Sequence, residues 1–289
     1  ERMEAEGAGR VDQLWLATAK LVRGSVESQS GDYGKANALA KEARALANGA
    51  DQNVGYWAAM MIGITARGRG QMEESLANLQ DAFSAAEKAD NAFRRAYALY
   101  QISQLHLAMK QPQRALVSSR QSYSSAEAAG ASYVMAKARM AESAAMELLN
   151  EPARELAAMK EALAIARRSG SHIAESLALI NLADIELRRN EFNDALEHSR
   201  RSLELAREFA DVGLIATSKA NIGFALFGLG RAAEGKRLAD EALADYERTG
   251  ATAEIASLLA EYSAYLEHSG DYKGALALYH RERKLYDEI

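Results

Sequence analysis

A turn signature recurs along this chain at intervals of 39 or 40 residues, and that period constrains the fold more than any other feature. It opens at Gly31, Gly70, Lys110, Asn150, Asn190, Gly230 and Gly270. Each opening leads into a polar stretch that runs to Ala36, Ser75, Ala115, Glu155, Ala195, Gly235 and Ala275. A second mark falls between these, at Ala50, Asp90, Gly130, Gly170, Ala210 and Gly250. Glycine ends helices well because it adopts the left-handed conformation at little cost. Two turns per period therefore divide each unit into two helices, A and B. The only two prolines, Pro112 and Pro152, occupy one shared repeat position just inside a helix start, where a missing N–H costs nothing.

Small residues keep the same period. Gly24, Gly63, Ser103, Ser143, Ala183, Gly223 and Ser263 each lie seven residues before a turn. The residues five after the turn, Ala36 through Ala275, are small apart from Glu155, and those twelve after include Ala43, Ala82, Ser122, Ala162, Ser202 and Ala242. Small side chains at these places let the two helices of a hairpin approach closely. Leu76, Leu116, Leu156, Leu196 and Leu276 share one position and fill the space between.

The small-residue triplet, at spacings of twelve and seven, resembles the tetratricopeptide repeat over nearly the whole chain. The usual unit has 34 residues; about six more lengthen each helix by nearly one turn and keep the faces in phase. The longer form is similar to the repeats of kinesin light chains. The resemblance implies an all-α fold, a right-handed solenoid of about seven helix-turn-helix repeats. Helices A are expected near 14–29, 54–68, 93–109, 132–148, 172–188, 212–228 and 252–268, and helices B between them. Residues 11–289 form the solenoid in this reading, and residues 1–10, with two Gly and no apolar period, a flexible lead-in.

Composition agrees with helices: Ala, Leu, Glu, Arg and Ser dominate. No basic-aromatic stripe points to nucleic acid. The charge is uneven, however. Residues 1–145 carry a net +2 and residues 146–289 a net −7. The absence of Cys removes disulfides, thiolate nucleophiles and zinc-thiolate sites. The longest apolar run, near Tyr56 to Ile64, is far short of the roughly 20 residues that span a bilayer. The chain starts at Glu1, and cytoplasm and periplasm suit it equally. The five His form no metal-ligand pair and no catalytic triad pattern. The strings at Gly68–Gly70 and Gly228–Gly230 follow no strand and read as turns, not phosphate loops. No enzyme activity and no cofactor is expected.

The resemblance also implies where a ligand sits, because helices A of such arrays line a concave groove. At the sixth groove position it places Gln101, Asn181 and Asn221; the two Asn look like the kinesin-light-chain residues that bond the backbone of an extended peptide. A carboxamide carries donors and an acceptor, so it can pair with a peptide unit of either polarity. The second and fifth positions of repeats two and three read Trp57, Met60, Tyr97 and Tyr100, an aromatic and Met patch suited to binding. Asp184 and Phe224 fill the ninth position beside the Asn pair. The Lys and Asn of the chaperone-tail clamp are missing from their places. The expected partner is a protein or extended peptide. The alternative is a ligand-sensing region of a bacterial signalling protein, since the stretch 270–289 resembles the last repeat before a diguanylate cyclase or histidine kinase module. The apolar face at Leu276, Tyr279 and Leu285 has no following repeat to cover it, which leaves the last helix available for a homodimer.

Overall fold

The structure, a computed structural model, describes residues 2–49 and 51–287, with side chains from residue 12 to 49 and 51 to 285. Among the described residues there are fourteen helices and no strand. Helices A are α1 (Arg2–Gln29), α3 (Gln52–Gly68), α5 (Ala92–Ala108), α7 (Ser132–Leu148), α9 (His172–Arg188), α11 (Val212–Gly228) and α13 (Thr252–His268). Helices B are α2 (Tyr33–Ala47), α4 (Met72–Lys88), α6 (Pro112–Ala128), α8 (Pro152–Arg168), α10 (Phe192–Glu208), α12 (Ala232–Thr249) and α14 (Tyr272–Asp287). The chain is an all-α helical-repeat solenoid.

One boundary departs from the sequence reading. The lead-in expected over residues 1–10 is not set apart, because α1 begins at Arg2. Ala, Glu and Arg around Gly7 and Gly9 are strong helix formers and carry the helix through two unfavourable residues.

The turn marks are backbone events. Gly31, Gly70, Lys110, Asn150, Asn190, Gly230 and Gly270 all have positive φ, between 53° and 85°. Asp90, Gly130, Gly170, Ala210 and Gly250 do the same at the other turn. In the first repeat that role falls to Asn48 and Gly49; Ala50 lies outside the described residues. Several helices A are capped by an acceptor side chain. Asp51, Asn91, Ser171 and Asp211 each take the N–H of the residue three further on, satisfying one of the donors that a helix start leaves open.

The small-residue positions are contact points. A Cβ on Gly223 of α11 would lie 2.9 Å from the carbonyl oxygen of Gly235 in α12. Ser143 Oγ donates to the carbonyl of Glu155 at 2.9 Å, so at this position the side chain reaches the partner helix's backbone. Ser202 links three helices: its hydroxyl pairs with that of Ser176 at 2.9 Å and accepts from Ser218 at 3.0 Å. These serines are buried, so each hydroxyl needs such a partner.

The chain divides into two compact units, Glu1–Ala158 and Met159–Ile289. In the first, α3 packs on α5 and α5 on α7, forming a layer of helices A backed by helices B. Its core includes Tyr56, Met60, Leu79, Ile102 and Leu105. In the second, α9, α11 and α13 form the corresponding layer, around Phe224, Leu226, Leu259 and Tyr262. Among the described residues, no helix is long and apolar enough to cross a membrane.

Candidate functional site

In the first unit, the helix A layer carries a continuous aromatic row. Trp57 of α3 meets Tyr97 of α5 with ring centroids 6.1 Å apart. Tyr97 stacks with Tyr100 at 6.2 Å and with Phe93 at 6.4 Å. The helical spacing of 93, 97 and 100 puts these three on one side of α5. Trp57 and Phe93 are exposed, and Tyr97 and Tyr100 half-buried. Tyr56 packs edge-on against Trp57 at 4.9 Å, but it is buried and its hydroxyl donates to the carbonyl of Arg94. It is a support for the row, and burial holds its phenol well above the ordinary range.

Two cations border this row. Lys137 of α7 has its Nζ 5.2 Å from the ring centres of both Tyr100 and Tyr133. Arg67, near the end of α3, donates from Nη1 to Gln101 on α5, to the main-chain oxygen at 3.3 Å and to Oε1 at 3.2 Å. Burial pushes the Arg67 guanidinium down from its usual value, with Tyr100, Tyr33 and Tyr97 acting in the opposite direction. Burial pushes the Tyr97 phenol up, against the pull of the Lys137 charge.

The structure separates the residues that the sequence brings forward here. Trp57, Tyr97 and Tyr100 come together on the accessible row. Met60 does not join them: it is 1% exposed and belongs to the core. Gln101 is buried too, and its side chain is held by Arg67. Sequence reading passed over Arg67 and Lys137. They occupy the twelfth position of repeat two and the second of repeat four in the groove register, so that register contained the signal.

In the second unit, the helix A layer is more acidic. Asn181 on α9 is half-buried, whereas Asn221 on α11 is buried and donates from Nδ2 to the carbonyl of Ile180 at 3.3 Å. The two amides thus do not stand as an equivalent open pair. Phe224 is 1% exposed and stacks on Tyr265 of α13, centroids 4.5 Å apart. Its size and apolarity fill the space between α11 and α13. Asp184 is partly exposed and paired with Arg188 one turn on. Burial raises the pKa of Asp184, against the charge and hydrogen bond of Arg188. Burial and then the Asp184 charge raise that of Glu261 on α13. Burial, Glu261 and Asp184 push the Tyr265 phenol up to about 12. No group of three or more His, Asp or Glu suited to holding a metal occurs among the described residues.

A tetratricopeptide-repeat family profile matches residues 215–249, most of α11 and α12. No curated protein matches by sequence. Among solved structures, aspartyl phosphate phosphatase F from Bacillus subtilis superposes with a TM-score of 0.78 at 14% identity, covering 99% of this chain and 73% of that one. The Rap conjugation gene regulator of the plasmid pLS20, in complex with the Phr* peptide, gives 0.78 at 16% identity, covering 96% and 75%. A Rap protein complexed with competence and sporulation factor gives 0.76 at 16% identity, covering 93% and 74%. At such identities these likenesses speak for the fold. The forty-residue period, the paired helices and the one matched repeat together give the chain the fold of tetratricopeptide-repeat solenoids.

Proposed function

We propose that the chain is a binding scaffold, without catalysis of its own, that holds a protein or extended peptide against its layers of helices A. The observation that carries this reading is the accessible row of Trp57, Tyr97 and Tyr100 in the first unit. Amphipathic rings offer large contact area at low entropic cost, and their hydroxyls and ring N–H can bond a peptide backbone. Asn181 and Asp184 in the second unit offer further polar contacts from the same kind of layer. Gln101, Asn221, Met60 and Phe224 support these surfaces from beneath.

Two of the structures with this fold are complexes, one with competence and sporulation factor and one with the Phr* peptide, which favours a peptide as the ligand class. The second of these is a gene regulator, and a ligand-sensing role in signalling is the regulatory form of the same reading.

The test is a selection of displayed random dodecapeptides on the full chain. The strongest binder is then titrated by calorimetry against the wild type and the Tyr97→Ala, Tyr100→Ala double variant. Loss of two aromatic contacts should weaken binding by roughly tenfold or more, measured at a temperature where melting curves show the variant still folded. Unchanged affinity would remove the aromatic row from the site, and a selection that yields no binder would sink the peptide reading.

A further inference from the structure

Among the described residues, nine cations of the first unit are neutralised at short range by a carboxylate. Lys20 pairs with Glu42 at 2.5 Å, Lys35 with Glu27 at 2.5 Å, Lys41 with Glu74 at 2.7 Å and Arg120 with Glu142 at 2.9 Å. Of those without such a pair, Arg69, Lys88, Lys110 and Arg114 are exposed and Arg94 is held by Asn53 over the buried Tyr56, which leaves Arg67 and Lys137. Neither has a carboxylate within ion-pair distance among the described residues, although both are half-buried. What surrounds them is neutral: the Gln101 amide and backbone for Arg67, and the rings of Tyr100 and Tyr133 for Lys137. A partly desolvated charge without a counter-charge is costly, and pairing it recovers part of that cost.

The two charges converge on one place. Arg67 comes from α3 and Lys137 from α7, the helices on either side of α5. Arg67 bonds Gln101, and Lys137 sits over the ring of the preceding residue, Tyr100. Tyr97 and Tyr100 lie within electrostatic reach of both. The result is a set of donors, a planar guanidinium, an ammonium and two phenolic hydroxyls, with no acceptor charge among them. The half of the chain that contains them is also the one with positive net charge.

We propose that this place takes an acidic segment of the bound peptide, with a carboxylate side chain seated between Arg67 and Lys137 beside Tyr97 and Tyr100. This rests on the peptide-binding reading and adds the charge of the ligand to it. A guanidinium accepts a carboxylate with two parallel hydrogen bonds, and an ammonium adds a compact point charge. The aromatic row on α3 and α5 then contacts the apolar residues that flank the acidic one. Rim pairs such as Lys35 with Glu27 are already satisfied and leave nothing for a ligand.

The test again uses the displayed random dodecapeptide library on the full chain, beside the Arg67→Gln, Lys137→Gln double variant and a Lys137→Arg variant. Circular dichroism and melting curves establish that all three fold. Wild type should enrich peptides rich in Asp and Glu. Titration of one such peptide should show affinity falling steeply with salt. It should fall roughly tenfold to a hundredfold in the double variant, as expected for lost hydrogen bonds to a charged group. Lys137→Arg should retain most of the affinity. Binders without an acidic excess, or an excess that persists in the folded double variant, would overturn the proposal and leave peptide binding intact. No binders at all would remove both readings. A single-stranded decanucleotide that displaces the selected peptide more strongly than hexaglutamate would assign the wall to nucleic acid and overturn it as well.

Discussion

The side-chain nitrogen of Asn221 lies 3.3 Å from the main-chain oxygen of Ile180 and joins α11 to α9. Asn181, one repeat earlier at the matching position, is half-buried and makes no such bond among the described residues. Two residues that look equivalent in sequence therefore do different work. Asn221→Ala should lower stability by about 0.5–1.5 kcal/mol, the net value of a buried hydrogen bond. Asn181→Ala should leave the melting curve nearly unchanged and act on ligand affinity instead. Melting both variants separates the roles, and an Asn221→Ala protein as stable as wild type would show that the bond contributes nothing.

The contact between Gly223 and Gly235 sets a hard limit on side-chain size. A Cβ on Gly223 would face the Gly235 carbonyl at 2.9 Å and the Ala239 nitrogen at 3.2 Å, both main-chain atoms that cannot rotate away. Gly223→Ala must therefore push α11 and α12 apart. The gain in helix propensity, up to about 1 kcal/mol, opposes an overpacking cost of about 1–3 kcal/mol. The net effect should be destabilising in chemical denaturation. A stabilised Gly223→Ala protein would mean that the two helices separate freely.

How much of this was legible beforehand depends on whether the property lies along the chain or across it. The turns repeat in sequence, so period alone marks Lys110, Asp90 and Ala210 as turn residues, and all three adopt positive φ. The helix pairs follow from the same marks. Burial on the groove register is a relation between neighbouring helices. Period puts Met60 beside Tyr97 and Phe224 beside Asn181, but Met60 turns into the core and Phe224 packs against Tyr265. Arg67 and Lys137 stand on that register too, and were passed over for a related reason. A charged residue on a helix usually faces water, and only the packing of α3, α5 and α7 brings Arg67 to Gln101 and Lys137 to the adjacent Tyr100.

A partly buried histidine–carboxylate pair gives the second unit a pH dependence. His198 of α10 bonds Glu186 of α9, Nδ1 to Oε2, at 2.8 Å, and Glu186 is 4% exposed. The Glu186 hydrogen bond raises the pKa of His198 from 6.5, against burial; the Glu186 and Glu197 charges add to the rise and Arg167 opposes it. A histidine whose folded pKa is raised contributes stability that is fully present below its unfolded value and lost as pH rises through the folded one. Wild type should therefore lose more stability than His198→Gln between about pH 6 and pH 8, close to the ordinary histidine value. Referring each pH to this variant removes the opposite trend of His106, whose pKa burial lowers. Parallel pH profiles for the two proteins would show that the pair does not titrate in this range.

Leu196 and Leu276 occupy one repeat position, yet the first is 8% exposed and the second 56%. Leu196 sits in the core of the second unit, while Leu276 on α14 lies beside the likewise exposed Tyr272 and Tyr279. In a repeat array each unit is stabilised mainly by its neighbours, so a helix with one face uncovered has little to lose. Leu196→Ala should cost about 2–5 kcal/mol, as a buried leucine does. Leu276→Ala should stay within about 0.5 kcal/mol, as at an ordinary surface site. The amides of α14 should likewise exchange with solvent sooner than those of α10. Denaturant titration of the two variants decides the matter. A Leu276→Ala cost approaching that of Leu196→Ala would mean that the face of α14 is covered in solution, by a second copy of the chain if the loss depends on protein concentration.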